Sequence, residues 1–111
     1  MLLPDLPSHD VVLSRSDYVR LARELEQALP DARKVALLAS FTADFIKPYL
    51  VVEAARRDFP VQVWLAPYGQ IEQQAVDPAS PLYVQQPEVV VILPRLEELA
   101  PELVYRFLAH D

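Results

Sequence analysis

Apolar residues in this chain follow two periodicities. Val35-Ala36-Leu37-Leu38-Ala39 and Val89-Val90-Val91-Ile92-Leu93 are short unbroken runs, and Val61-Gln62-Val63-Trp64-Leu65-Ala66 carries one polar residue. Runs of that length, bounded by polar residues or Pro, read as strands. The first and the third, the latter taken from Glu88, are expected to be buried on both faces, as in parallel sheets. Other stretches have helical spacing. Tyr18, Leu21, Ala22, Leu25, Ala28 and Leu29 form one stripe, with Ser16 as the expected N-cap, Asp17 in the first turn and Pro30 as the stop. Pro48 fits only the first turn of a second helix, which runs to about Arg57 before Pro60 breaks the chain.

The remaining segments connect these elements. Pro4 and Pro7 make residues 1–13 an extended lead-in, whose apolar Val11, Val12 and Leu13 are expected to dock on the body. Residues 70–87 form a long excursion with short helices around 71–75 and 81–84. A last helix is expected over 97–110, with Pro101 in its first turn. The order is helix, strand, helix, strand, excursion, strand, helix. It predicts a three-layer α/β fold, a parallel sheet of three strands flanked by helices, as a single domain over 14–111. So narrow a sheet leaves an edge for further chain or a partner to cover, which makes a homo-oligomer one expectation.

Composition narrows the function classes. Of 111 residues, 52% are hydrophobic, enough for a real core, and the net charge is −6, which disfavours nucleic acid and anionic membranes as partners. No apolar run approaches the ~20 residues of a membrane span. Residues 1–10 contain two acids and no Lys or Arg, unlike a secretory signal, so the expected location is the cytoplasm. The absence of Cys excludes disulfides and thiolate metal sites, and a single Gly excludes glycine-rich phosphate loops. No His, Asp and Glu set has metal-ligand spacing, and no cofactor is expected in this chain.

Ligands of parallel sheets bind beyond the carboxyl ends of the strands. Here those ends carry Ser40-Phe41-Thr42, Pro67-Tyr68-Gly69-Gln70 and Pro94-Arg95, which the topology brings to one rim. Ser40, between a strand and a helix, is the candidate nucleophile. The alternative is that Ser40 or Thr42 caps the turn. Gly69 either supplies an N–H donor to a ligand or makes a turn at positive φ. Arg95 can bind a carboxylate or phosphate, or pair with Glu97 or Glu98; Tyr68 contacts a ligand or packs on the rim. A nucleophilic Ser needs a base, and the only histidines, His9 and His110, lie in the lead-in and at the end of the last helix.

Leu37-Leu38-Ala39-Ser40-Phe41-Thr42-Ala43-Asp44-Phe45-Ile46-Lys47-Pro48-Tyr49-Leu50 resembles the start of the amino-terminal domain of FkbH-like proteins. Trp64-Leu65-Ala66-Pro67-Tyr68-Gly69-Gln70-Ile71-Glu72-Gln73, through Asp77-Pro78, agrees in order and spacing. So does Pro87-Glu88-Val89-Val90-Val91-Ile92-Leu93, followed by Arg95-Leu96-Glu97. The likeness spans about residues 34–100. FkbH-like proteins are HAD-superfamily (subfamily IIIC) enzymes that load a glyceryl unit onto an acyl carrier protein in polyketide-type biosynthesis. Their front domain is similar to SGNH hydrolases, so the resemblance implies a flavodoxin-like, SGNH-like α/β fold for this chain. The resemblance implies that Ser40 stands where the hydrolase nucleophile falls and Gly69 near an oxyanion donor. The hydrolase Gly-Asp before the Ser is Leu38-Ala39 here, and Pro94-Arg95 replaces the Asn after the third strand. The Asp-x-x-His block would lie beyond Asp111, and the Asp-x-Asp motif of the HAD half does not occur in these residues.

The expectation is therefore the front part of a larger enzyme, itself non-catalytic, that docks an acyl carrier protein or positions a neighbouring catalytic domain. Two alternatives are an esterase-like half-site using Ser40 and a stand-alone assembly module.

Overall fold

The structure, a computed structural model, describes residues 6–8, 10–95, 100–102 and 106. Its elements are α1 (Arg15–Ala28), β1 (Arg33–Ala39), α2 (Ile46–Arg56), β2 (Val61–Leu65), α3 (Ile71–Val76), α4 (Pro81–Gln85) and β3 (Val89–Leu93). The strands form one parallel sheet in the order β2-β1-β3, with Val35 opposite both Val63 and Val89. The α/β class and the parallel sheet flanked by helices are as the periodicity predicts.

Alternate residues of β1 serve the two faces. Val35, Leu37 and Ala39 pack with Leu21 and Leu25 of α1 and Val51 and Val52 of α2. Ala36 and Leu38 pack with Ala66 and with Leu82 of α4. The helix after β1 and the excursion after β2 thus cover opposite faces. That follows from geometry: β2 and β3 lie on opposite sides of β1, so crossovers of one hand must pass over opposite faces. β1, flanked by strands and covered on both faces, is buried from Val35 onward.

Three local expectations are corrected. The N-cap of α1 is Ser14, not Ser16. The Ser14 hydroxyl accepts the Asp17 N–H, and the Asp17 carboxylate accepts the Ser14 N–H, a reciprocal capping box that Ser16 cannot form. β3 is not buried on both faces: Val89, Val90 and Ile92 are 43%, 43% and 50% exposed, because the described helices pack over β1 and β2 and none packs extensively over β3. In the lead-in, Leu6 and Leu13 pack on the core while Val12 is exposed. The tie there is Arg56 of α2, whose guanidinium donates to the carbonyls of Ser8 and of Val11 (2.6 Å) and to the Glu53 carboxylate (2.9 Å). Pro101, Glu102 and Arg106 are helical; the other residues of the expected last helix, and both histidines, lie outside the described residues.

Two carboxylates link this framework to pH. The Ser14 hydroxyl and amide hold Asp17 below its ordinary value of 3.8. Burial acts to raise Glu53, but the hydrogen bonds and charges of Arg57 and Arg56 outweigh it and hold the group below 4.5. Groups that ionise more readily folded than unfolded add stability above their unfolded values and lose it as the pH falls through their folded ones. Thermal melts are expected to show a lower Tm at about pH 3 than at about pH 6, with a smaller difference in Glu53→Gln. An unchanged difference in that variant would remove Glu53 from the account.

Candidate functional site

Parallel pairing places the carboxyl ends of all three strands on one rim, with the end of β1 in the middle. The rim is laced by backbone hydrogen bonds. Ala66 N–H donates to the Leu37 carbonyl (3.0 Å), Gly69 N–H to the Ala39 carbonyl (3.2 Å) and Ser40 N–H to the Leu93 carbonyl (3.2 Å). Chain leaving β2 and the end of β3 are thereby both tied to β1.

Ser40 is 1% exposed. Its hydroxyl donates to the Leu93 carbonyl (3.4 Å) and accepts the Arg95 N–H (2.5 Å). The donor and one acceptor site of the hydroxyl are thus engaged by backbone at the end of β3, which fits the capping reading better than that of a presented nucleophile. Gly69 has φ of +69°, and a Cβ there would meet nothing within 4 Å. Glycine is favoured at this turn by its backbone angle, not by crowding. Its N–H is engaged by Ala39, so it is not directed at a ligand.

The other predicted rim residues separate into two groups. Thr42 and Tyr68, both exposed, line a hollow of about 100 Å³ together with Phe41, Asp44 and Ala66. It is a shallow hollow, smaller than the usual ligand cleft. Gln70 faces the excursion instead. Its side-chain oxygen accepts from Gln74 Nε2 (3.0 Å), and buried Gln74 in turn accepts the Leu82 N–H (3.0 Å). Arg95 meets Ser40 through its backbone; its pairing with Glu97 or Glu98 lies outside the described residues. No cluster of three or more His, Cys, Asp or Glu suited to a metal occurs among the described residues, and no described helix is long and apolar enough to cross a membrane.

Replacing Ser40 by Ala removes the hydroxyl that links Leu93 and the Arg95 N–H and is expected to lower stability by about 1–2 kcal/mol in a denaturant titration. A serine-reactive fluorophosphonate is expected to leave the wild-type chain unlabelled. Labelling at Ser40 would require the hydroxyl to be free of both partners.

Sequence reasoning missed the aromatic surface beside this rim. Phe41, Phe45 and Tyr49 are 37%, 59% and 38% exposed. The Arg15 guanidinium lies 4.9 Å from the centre of the Phe45 ring, and the Tyr18 and Tyr49 rings are 4.4 Å apart. These contacts join the aromatic surface to the outer face of α1, where Arg15, Val19, Arg20 and Arg23 line an open groove of about 680 Å³. The available signal was two phenylalanines in a turn that has no need of them.

Among curated proteins none matches this chain. Of solved structures, the chain is similar to the crystal structure of the N-terminal part of the protein BF1531 from Bacteroides fragilis, which contains a phosphatase domain and is complexed with Mg. The TM-score is 0.63 and the identity 24%, over 82% of this chain and 24% of that one. The chain therefore spans about a quarter of that structure's length, and the likeness shows the fold. Residues 34–107, well over half of the sequence and including the whole rim, match the family described as FkbH, N-terminal domain, and the chain belongs to that family.

Proposed function

We propose that this chain is the front domain of an FkbH-like, HAD-type enzyme of the cytoplasm that loads an acyl carrier protein in polyketide-type biosynthesis. Its own part is to dock and position, not to make or break bonds. The observation that carries this reading is the exposed aromatic and arginine surface joined where Arg15 lies over Phe45. In a chain of net charge −6, α1 sets Arg15, Arg20 and Arg23, with Glu24, along one groove next to exposed Phe41, Phe45 and Tyr49; Arg20 pairs with Asp17 and Glu24, which leaves Arg15 and Arg23 as the basic groups of the surface. Such a surface suits a partner with an acidic face and an apolar appendage, the chemistry of a carrier protein bearing a pantetheine arm. The occupied hydroxyl of Ser40 supports the non-catalytic part of the reading.

Isothermal titration with a holo acyl carrier protein tests it, with the full-length enzyme run alongside. Binding is expected to weaken by about tenfold in Phe45→Ala and in Arg23→Glu, and to weaken with added salt, since the charges are exposed. Absence of binding by both this chain and the full-length enzyme, or binding indifferent to both substitutions, would overturn the docking role.

A further inference from the structure

We propose that the groove on the outer face of α1 seats a helix of the docked partner, one that carries two carboxylates about two turns apart with an apolar side chain between them. This rests on the docking role of the surface and names the element of the partner that the surface receives. Arg15, Val19 and Arg23 form one bank of the groove, and Ser16, Arg20 and Glu24 form the other. Each bank is a row of residues four apart, so the channel between them is the complement of a ridge on a second helix. A ridge of residues three apart fits such a channel with the axes about 20° from aligned, which keeps the two helices in contact along the groove. The opposite face of α1 buries Leu21, Ala22 and Leu25, and the Ser14 capping box closes its first turn, so the banks are held in place before a partner arrives.

Charge selects the occupant. Arg20 is committed to Asp17 (3.5 Å) and Glu24 (3.6 Å). Arg23 has no carboxylate partner among the described residues. Arg15 lies over the Phe45 ring, and a stacked guanidinium keeps its N–H groups, which lie in its plane, for an acceptor. Arg15 and Arg23 stand about 12 Å apart along the helix at 1.5 Å per residue. Val19, 42% exposed, lies between them. A helix with an acid, an apolar residue and a second acid along one ridge meets all three. A second copy of α1 does not, since two-fold mating at Val19 sets Arg15 of each copy against Arg23 of the other. Nucleic acid and anionic lipid are opposed by the net charge of −6. The aromatic surface begins at the Arg15 end of the groove, which puts the attachment point of the partner's apolar arm at that end.

Isothermal titration of this chain and of the full-length enzyme with apo and holo acyl carrier protein tests the assignment. Val19→Asp is expected to weaken binding of both carrier forms by about tenfold, because the groove holds the protein and not its arm, whereas Phe45→Ala weakens the holo form alone. Changing each helical carboxylate of the carrier to Arg in turn is expected to yield a variant that recovers about threefold or more of the affinity lost in Arg23→Glu. Val19 and Arg23 are exposed, so both variants are expected to keep the far-UV circular dichroism of the wild type. Binding confined to the holo form, or a holo carrier that responds to Phe45→Ala but not to Val19→Asp, leaves docking in place and overturns the seated helix. So does failure of every carrier variant to recover binding to Arg23→Glu. Binding by this chain and not by the full-length enzyme gives the groove to the neighbouring domain and overturns the proposal. Absence of binding by both removes the docking role together with it.

Discussion

Leu37→Ala is expected to lower the stability of this domain by about 3–4 kcal/mol, with a fall in Tm of more than about 10 °C. Leu37 is 1% exposed, lies on the central strand between Leu65 and Val91, and faces α1 and α2. Its truncation leaves a cavity walled by regular elements that cannot collapse into it without shifting the sheet. The comparison is Ile92→Ala, a side chain of the same size but half exposed on the edge, expected to lose less than about 1 kcal/mol in the monomer. Thermal melts of the two variants under conditions that keep the chain monomeric test the burial assigned to each strand. Equal losses would mean that β1 and β3 do not differ in cover as described.

Arg56→Ala is expected to lose about 2–3 kcal/mol and to release the lead-in to proteolysis near Ser8 and Val11. The Arg56 side chain is 1% exposed and holds Glu53 and two carbonyls of the lead-in, while its Nε has no hydrogen-bond partner among the described residues. The loss stays below that of a fully buried ion pair because Glu53 is one-third exposed and keeps Arg57 at 3.3 Å. Arg56→Met, which keeps the packing of the aliphatic stem, separates the two contributions. If its melting temperature matched wild type and its lead-in stayed protease-resistant, the carbonyl bonds would have no role in fastening residues 6–13.

Much of this arrangement was legible in the chain itself. The strands were readable because an unbroken apolar run is too short for a helix and too long for a turn. α3 and α4 were readable as short helices within the excursion, and the alternation of elements implied a parallel sheet whose carboxyl ends share a rim. Membership in the FkbH N-terminal family was also visible, in three blocks around the three strand ends. The start of α1 was legible too, and reading Ser16 as its cap overlooked the signal: Ser14 stands three residues before Asp17, the capping-box spacing, whereas Ser16 stands three before Val19.

The rim shows where local reading stops. Ser40 has the same neighbours in sequence whether it is a nucleophile or a cap. The difference lies in Leu93 and Arg95, more than fifty positions away, which reach its hydroxyl only because β3 pairs with β1. The aromatic surface is similar: Arg15 and Phe45 are thirty positions apart, and the packing of α1 on α2 makes them one patch.

Element identity and class were thus determined by the sequence, since hydrophobic periodicity and proline placement act over a few residues at a time. The tertiary structure alone decided that β3, as apolar as β1, stands at the edge with Val89, Val90 and Ile92 about half exposed. An apolar run states what can be buried, and only the order of strands and the placing of helices over them states which run is.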